Sequence, residues 1–192
     1  MSLKCAFVAA LAFATPVAGL AKAITPPAVP TILAPPAGSK PYLIAHAVGT
    51  QNYVCLPNGA AAKWVLFDPQ ASLFDDQGTL IGTHFLSPNP GEVGTPARAT
   101  WQHSLDASAA WAFKVQESDD PQFVAPGAIK WFLLQVVGTQ FGPDAGDRLA
   151  KAKFIQRVNT AAGVAPTTTC TTAAEVGKTI LVPYTADYVF YQ

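Results

Sequence analysis

From Tyr42 onward the chain is written in short runs of alternating or wholly apolar residues, punctuated by glycine, proline and asparagine. That is the pattern of many short strands rather than of amphipathic helices. The clearest unit is a hairpin: Ser72 to Phe74 and Thr79 to Leu86 flank Asp75-Asp76-Gln77-Gly78, a polar loop ending in a glycine that tolerates positive φ. The outgoing strand places Leu80, Gly82, His84 and Leu86 on one face and Thr79, Ile81, Thr83 and Phe85 on the other. Apolar residues on both faces predict a strand covered on both sides. Ser87-Pro88-Asn89-Pro90-Gly91 ends it, because prolines cannot donate to a ladder. A loop of unusual length follows, leading to a second short strand at Thr100-Trp101-Gln102-His103.

The remaining elements read in the same way. Tyr42 to Val48 is a strand, with a bulge suggested at Gly49, and Gln51 to Leu56 continues or pairs with it. Pro57-Asn58-Gly59 is a turn, and Lys63 to Phe67 a short apolar strand. Ala110 to Ser118 alternates, which predicts Trp111, Phe113 and Val115 inward and Lys114 and Gln116 outward. Ala128 to Gln140 reads as a central strand, bulged near Gly138. Asp147 to Asn159 fits either a helix or a strand, and a strand from Phe154 is the preferred reading. Thr172 to Glu175 has the spacing of a capping box, with Gly177 as a stop, so one helical turn is expected there. Thr179 to Val182 and Tyr188 to Tyr191 are expected to close the sheet around a turn at Pro183. The expected architecture is all-β, an antiparallel sandwich or barrel with long loops and at most one short helix.

Composition limits the possible partners. Only 12% of the 192 residues are charged, and 12 basic residues balance 12 acidic ones, so nothing predicts nucleic acid as a partner. Lys4, the apolar run Cys5 to Ala14 and the small-x-small Ala21-Lys22-Ala23 predict a secretory signal over residues 1–23, too short to span a bilayer. Its removal leaves 10 basic against 12 acidic residues. No later stretch is apolar enough for a membrane span. Residues 24–41 hold six prolines and form an arm, either a disordered lead or an extended segment lying on the domain and pinned by Ile32 and Leu33. Residues 42–192 make one β domain. Cys5 leaves with the signal, so the secreted, extracellular chain keeps only Cys55 and Cys170. In an oxidising compartment such a pair reads as one disulfide, against two buried free thiols.

Several segments carry a family resemblance. They are Gly49-Thr-Gln51-Asn-Tyr53-Val-Cys55, Ala71-Ser-Leu-Phe-Asp75 with Gly78, and Gly82-Thr-His84-Phe. Pro126-Gly-Ala-Ile-Lys-Trp131, Phe154-Ile-Gln156-Arg157-Val-Asn-Thr, Gly163-Val-Ala-Pro166 with Cys170, and Val182-Pro-Tyr184-Thr-Ala-Asp-Tyr188 complete the set. Together they resemble the DUF3455 family, uncharacterised secreted proteins of fungi and bacteria; the resemblance covers nearly all of residues 42–192 and implies no established activity. Some relatives carry a malate-dehydrogenase label, but this chain has neither a G-x-G-x-x-G after a strand nor a βαβ alternation, and no cofactor is expected.

Candidate chemistry is sparse. His46, His84 and His103 are the only histidines, without H-x-H or H-E-x-x-H spacing, so no metal site is predicted. No G-x-S-x-G elbow accompanies Ser87 or Ser104. The aromatic residues offer more. Trp101 follows the long loop and is flanked by groups suited to hydroxyls, so His84, Trp101, Gln102 and His103 are the candidate ligand-binding residues. Two readings remain open: a secreted, non-catalytic β protein that binds a glycan or other cell-surface ligand, or a secreted metal-assisted or hydrolytic enzyme using the His84/His103 region.

Overall fold

The structure is a computed structural model and describes residues 23–192. The expected signal thus falls outside the described residues except for its final Ala23. Eight strands run in chain order around a closed antiparallel barrel: β1 (Pro41–Asn58), β2 (Ala61–Phe74), β3 (Leu80–Ser87), β4 (Arg98–His103), β5 (Ala109–Ser118), β6 (Trp131–Gln140), β7 (Phe154–Ala162) and β8 (Thr179–Tyr191). Closure comes from β1 pairing with β8, from Leu43 opposite Phe190 to Val54 opposite Thr179. Of the two architectures the alternation permitted, the described chain takes the barrel, which leaves no open sheet edge around its body. Among the described residues there is no α-helix, only three single 3-10 turns. No helix among them is long and apolar enough to cross a membrane.

The hairpin, the strand after the long loop and the strand beginning at Phe154 stand where the pattern put them. The turn at Ala173–Glu175 carries the expected capping box between Thr172 and Glu175. One open reading is settled and one expectation needs correction. Of the two readings open for Gln51 to Leu56 the chain takes the continuation, so β1 runs through Gly49, whereas β8, read as two short strands around a turn, is one long strand through Pro183. Pairing of β7 with β8 ends at Tyr184, so at Pro183 the strand has a neighbour only in β1. Pro69 in β2 likewise lies beyond the stretch paired with β3. A proline is tolerated where one side of the strand is free.

Gly49 is not the bulge. It is in register with Ala71, and a Cβ there would lie 1.9 Å from Gln70 O, so the two backbones approach too closely for any side chain. The bulge comes later: Asn52 faces Asp68 and Tyr53 faces Leu66, which leaves Phe67 as the extra residue. That extra residue puts Leu66 on the same face as Pro69, and both line the barrel interior. A second bulge at Val137 lies where one was expected, near Gly138.

The interior face of β5 also differs from expectation. Ala110 and Ala112 belong to the interior cluster, whereas Phe113 is half-exposed and stacks under Arg98. Trp111 is buried on the opposite face, its indole donating to Ser87 Oγ (2.8 Å). Eight strands enclose only enough room for side chains or one small ligand. Large interior groups such as Trp101, Tyr188 and Phe190 therefore require small ones across from them, and alanines 45, 47, 71, 110, 112 and 186 supply them.

A second apolar layer lies outside the barrel. Trp131, Leu133, Val158, Val189 and Tyr191 turn outward and are covered by Leu33 of the N-terminal arm, which is fully buried. Gln156 Nε2 donates to Leu33 O (2.7 Å), fixing the arm to β7. The arm therefore lies on the domain, pinned by Leu33 and not by the half-exposed Ile32.

Candidate functional site

The two ends of the barrel differ. One end is plugged by the 147–152 turn, where Leu149 is buried in the core and its backbone N–H donates to Ser108 Oγ (2.9 Å). At the other end stand the β1–β2 tip and the β3–β4, β5–β6 and β7–β8 connections. The interior there opens into a chamber of about 160 Å³. Its apolar walls include Leu66, Pro69, Leu86, Ala99, Phe132 and Leu134, and its polar walls are Gln51, His84, Trp101, Arg157 and Tyr188. A wider mouth of about 420 Å³, bordered by Tyr53, Ile129, Lys130 and Val164, shares Gln51, Leu66, Phe132 and Arg157 with the chamber. The two therefore adjoin across these four side chains.

Arg157 is the unusual wall. It is 8% exposed, and among the described residues no carboxylate forms an ion pair with it. Its Nε and Nη2 both donate to Lys130 O (3.1 and 2.8 Å), and its guanidinium lies 3.8 Å over the Phe132 ring. Burial pulls its pKa down, and the hydroxyls of Tyr188, Tyr184 and Tyr53 pull it back up. Burial raises the pKa of all three tyrosines, so they stay neutral and supply no counter-charge. A buried cation without an anion is costly.

The other polar walls are short of acceptors. Gln51 is 1% exposed, and its Nε2 makes no hydrogen bond of ordinary geometry, although the side chain stands close enough to Tyr184 to lower that hydroxyl's pKa slightly against burial. Trp101 Nε1 is buried and likewise unpartnered. The His84 ring stacks on Trp101 with centroids 4.5 Å apart, and its Nδ1 lies 2.9 Å from Thr100 O, which assigns the proton to Nδ1. Burial holds the His84 pKa down at about 4, with the Arg157 charge adding to the effect, so the ring is neutral at neutral pH.

The four residues expected to share a ligand are therefore divided. His84 and Trp101 are together inside the chamber wall, with Trp101 fully buried against Tyr188 and Phe190. Gln102 points out to solvent. His103 lies towards the plugged end, beside Leu149, with Nδ1 accepting from the Leu105 backbone and 3.5 Å from Asp106. The strands flanking the long loop do reach the chamber, through Leu86 and Ala99. Glu92, which pairs with Arg98, and the buried Asn89 fold the loop on itself. Among the described residues no group of three His, Cys, Asp or Glu side chains stands close enough to hold a metal ion.

The residues that reading of the sequence missed are Gln51 and Arg157. The available signal was a polar group on an apolar face: Gln51 two positions beyond Gly49 in the row Ala45, Ala47, Gly49, and Arg157 two beyond Ile155.

At the same end of the barrel, packed against Ala62 and Trp64, Cys55 and Cys170 form a disulfide that ties β1 to the β7–β8 connection. A family model described as a protein of unknown function, DUF3455, matches residues 36–192. The chain belongs to the DUF3455 family. The match takes in every strand of the barrel and part of the N-terminal arm, so the chamber is built entirely from residues within the family's span. No curated protein and no solved structure is similar enough to the chain to count as a match.

Proposed function

We propose that this DUF3455 chain is an exported, non-catalytic binding protein that takes a small molecule into the mouth of its barrel. The observation that carries the reading is the chamber and the mouth beside it, with the buried Arg157, which pairs with no carboxylate among the described residues, in the wall they share. Ligand sites are concave, largely apolar and furnished with a few convergent polar groups, and the chamber has that character. A sugar stacked on Trp101 at the surface has less support, because the indole presents no face to solvent. An enzyme built on His84 and His103 also has less: His84 is stacked and committed to Thr100 O, and no carboxylate among the described residues pairs with it. The Cys55–Cys170 bridge is compatible with export.

The test is a screen of small neutral and charged molecules against the mature protein by NMR, reading the four tryptophan indole N–H resonances. The Trp101 signal, assigned with Trp101→Phe, is expected to shift saturably for at least one class. If every binder perturbs only exposed positions such as Phe67 or Gln102, or if none binds, the interior site is wrong.

A further inference from the structure

We propose that the occupant is a small organic carboxylate with an aromatic or compact branched body, its carboxylate on Arg157 and its body in the inner chamber. The inference rests on the interior-binding reading and adds the chemistry of the ligand. Three observations carry it. The first is the charge: Arg157 is buried, fixed in place by Lys130 O and the Phe132 ring, and lacks an anionic partner among the described residues. The Lys130 carbonyl and the Tyr188 hydroxyl are both neutral acceptors, so the charge itself is uncompensated, and an anion arriving at the mouth supplies the counter-charge.

The second is the sign of the unmet groups. The unpartnered buried groups beside the chamber, Gln51 Nε2 and Trp101 Nε1, are both donors, so this wall leaves no buried acceptor or negative charge unmet that would repel an anion. His84, held neutral, adds no second positive charge, and Lys130 at the rim is already paired with Glu117 (2.8 Å) and Asp119 (3.3 Å). One cation with neutral donors suits a single negative charge better than a phosphate dianion. The third is size. The chamber holds about 160 Å³, and a dry cavity of about 150 Å³ accommodates one benzene ring. Its remaining walls are apolar, so the body of the ligand is apolar as well.

Benzoate, with benzyl alcohol as its neutral counterpart, tests the idea by titration calorimetry and the Trp101 indole shift. Native protein is expected to bind benzoate roughly 10- to 100-fold more tightly than benzyl alcohol, the range of a charge-assisted hydrogen bond set. Arg157→Met is expected to abolish that preference while leaving benzyl alcohol binding about as it was. The ratio of the two affinities is the readout, because a merely loosened barrel weakens both probes alike. Should Arg157→Met fail to fold, the native-protein ratio still decides, and Gln51→Leu is expected to reduce it. Equal affinities, or a preference that survives Arg157→Met, overturn the carboxylate assignment and leave interior binding standing. Failure of benzoate with binding of benzyl alcohol has the same meaning. Failure of both, together with a silent small-molecule screen, removes the interior site as well.

Discussion

At the scale of single residues, two histidines respond to pH with opposite sign. His84 is buried and its pKa is lowered from 6.5 to about 4, first by desolvation. Above pH 6.5 it is neutral folded or unfolded, and its environment is tolerated in full. As pH falls below 6.5, the unfolded chain binds a proton that the folded chain refuses, so stability declines until the folded pKa is reached. The full loss is on the order of 3 kcal/mol. For His46, burial alone would lower the pKa, but the hydrogen bonds it donates to Asp187 (2.7 Å) and Asp76 (3.2 Å) outweigh it, and the value is raised above 6.5. Its contribution is complete below pH 6.5 and lost as pH rises through the folded value. Because His46 is 42% exposed, that contribution is about 0.5 kcal/mol or less. Urea unfolding between about pH 7 and pH 5, above the range where most carboxylates titrate, is expected to show net destabilisation on acidification. His84→Gln should flatten most of that slope. A stability that rises towards pH 5 would show that His84 is not held neutral.

At the scale of elements, alternation located most strands, but it could not say which face of each one looks inward. Trp111 and Phe113 look like a core face, yet the barrel interior takes Ala110 and Ala112, because facing strands already fill it with Trp101 and Tyr188. The outer face is apolar too, since the arm covers part of it through Leu33. Continuity was left open at Gly49 and missed at Pro183 for a different reason: both residues are punctuation in most contexts, and only the pairing around them shows why the strand continues. Gly49 provides the sharper test. A methyl group there would meet Gln70 O at 1.9 Å and Ala71 Cα at 2.6 Å, both backbone atoms that cannot rotate away. Gly49→Ala is expected to cost about 1–3 kcal/mol or more, the range for overpacking, and to disturb the β1–β2 register next to Gln51. Gly78→Ala is the contrasting control, because no atom lies within 4 Å of a Cβ there and only the positive φ of 76° opposes it. Equal midpoints for Gly49→Ala and the native chain in urea would show that the two strands part without cost.

At the scale of the whole molecule, the site becomes visible only on closure. Gln51 lies on β1, Trp101 on β4, Arg157 on β7 and Tyr188 on β8, and none of these spacings carries a motif. Their convergence depends on β1 meeting β8, a contact between the two ends of the domain. Such pairing closes a very long loop, which is entropically slow and unfavourable without help. The Cys55–Cys170 bridge supplies help at that seam. It spans 115 residues and ties β1 to the segment that leads into β8, where Cys55 also exchanges backbone hydrogen bonds with Lys178 and Gly177. The chain-entropy model gives such a bridge about 4–5 kcal/mol. Denatured, unreduced mature protein is expected to show no titratable thiol, and reduction should lower the unfolding free energy by that amount. The effect should also be local. Val164 borders the mouth on the same connection as Cys170, so reduction is expected to speed amide exchange first around residues 163–178 and the tip of the β1–β2 hairpin. The plugged end, closed by Leu149 and without a covalent tie, should exchange as before. Two thiols in the unreduced protein, or uniform loosening of both ends on reduction, would mean that the seam at the mouth is held by strand pairing alone.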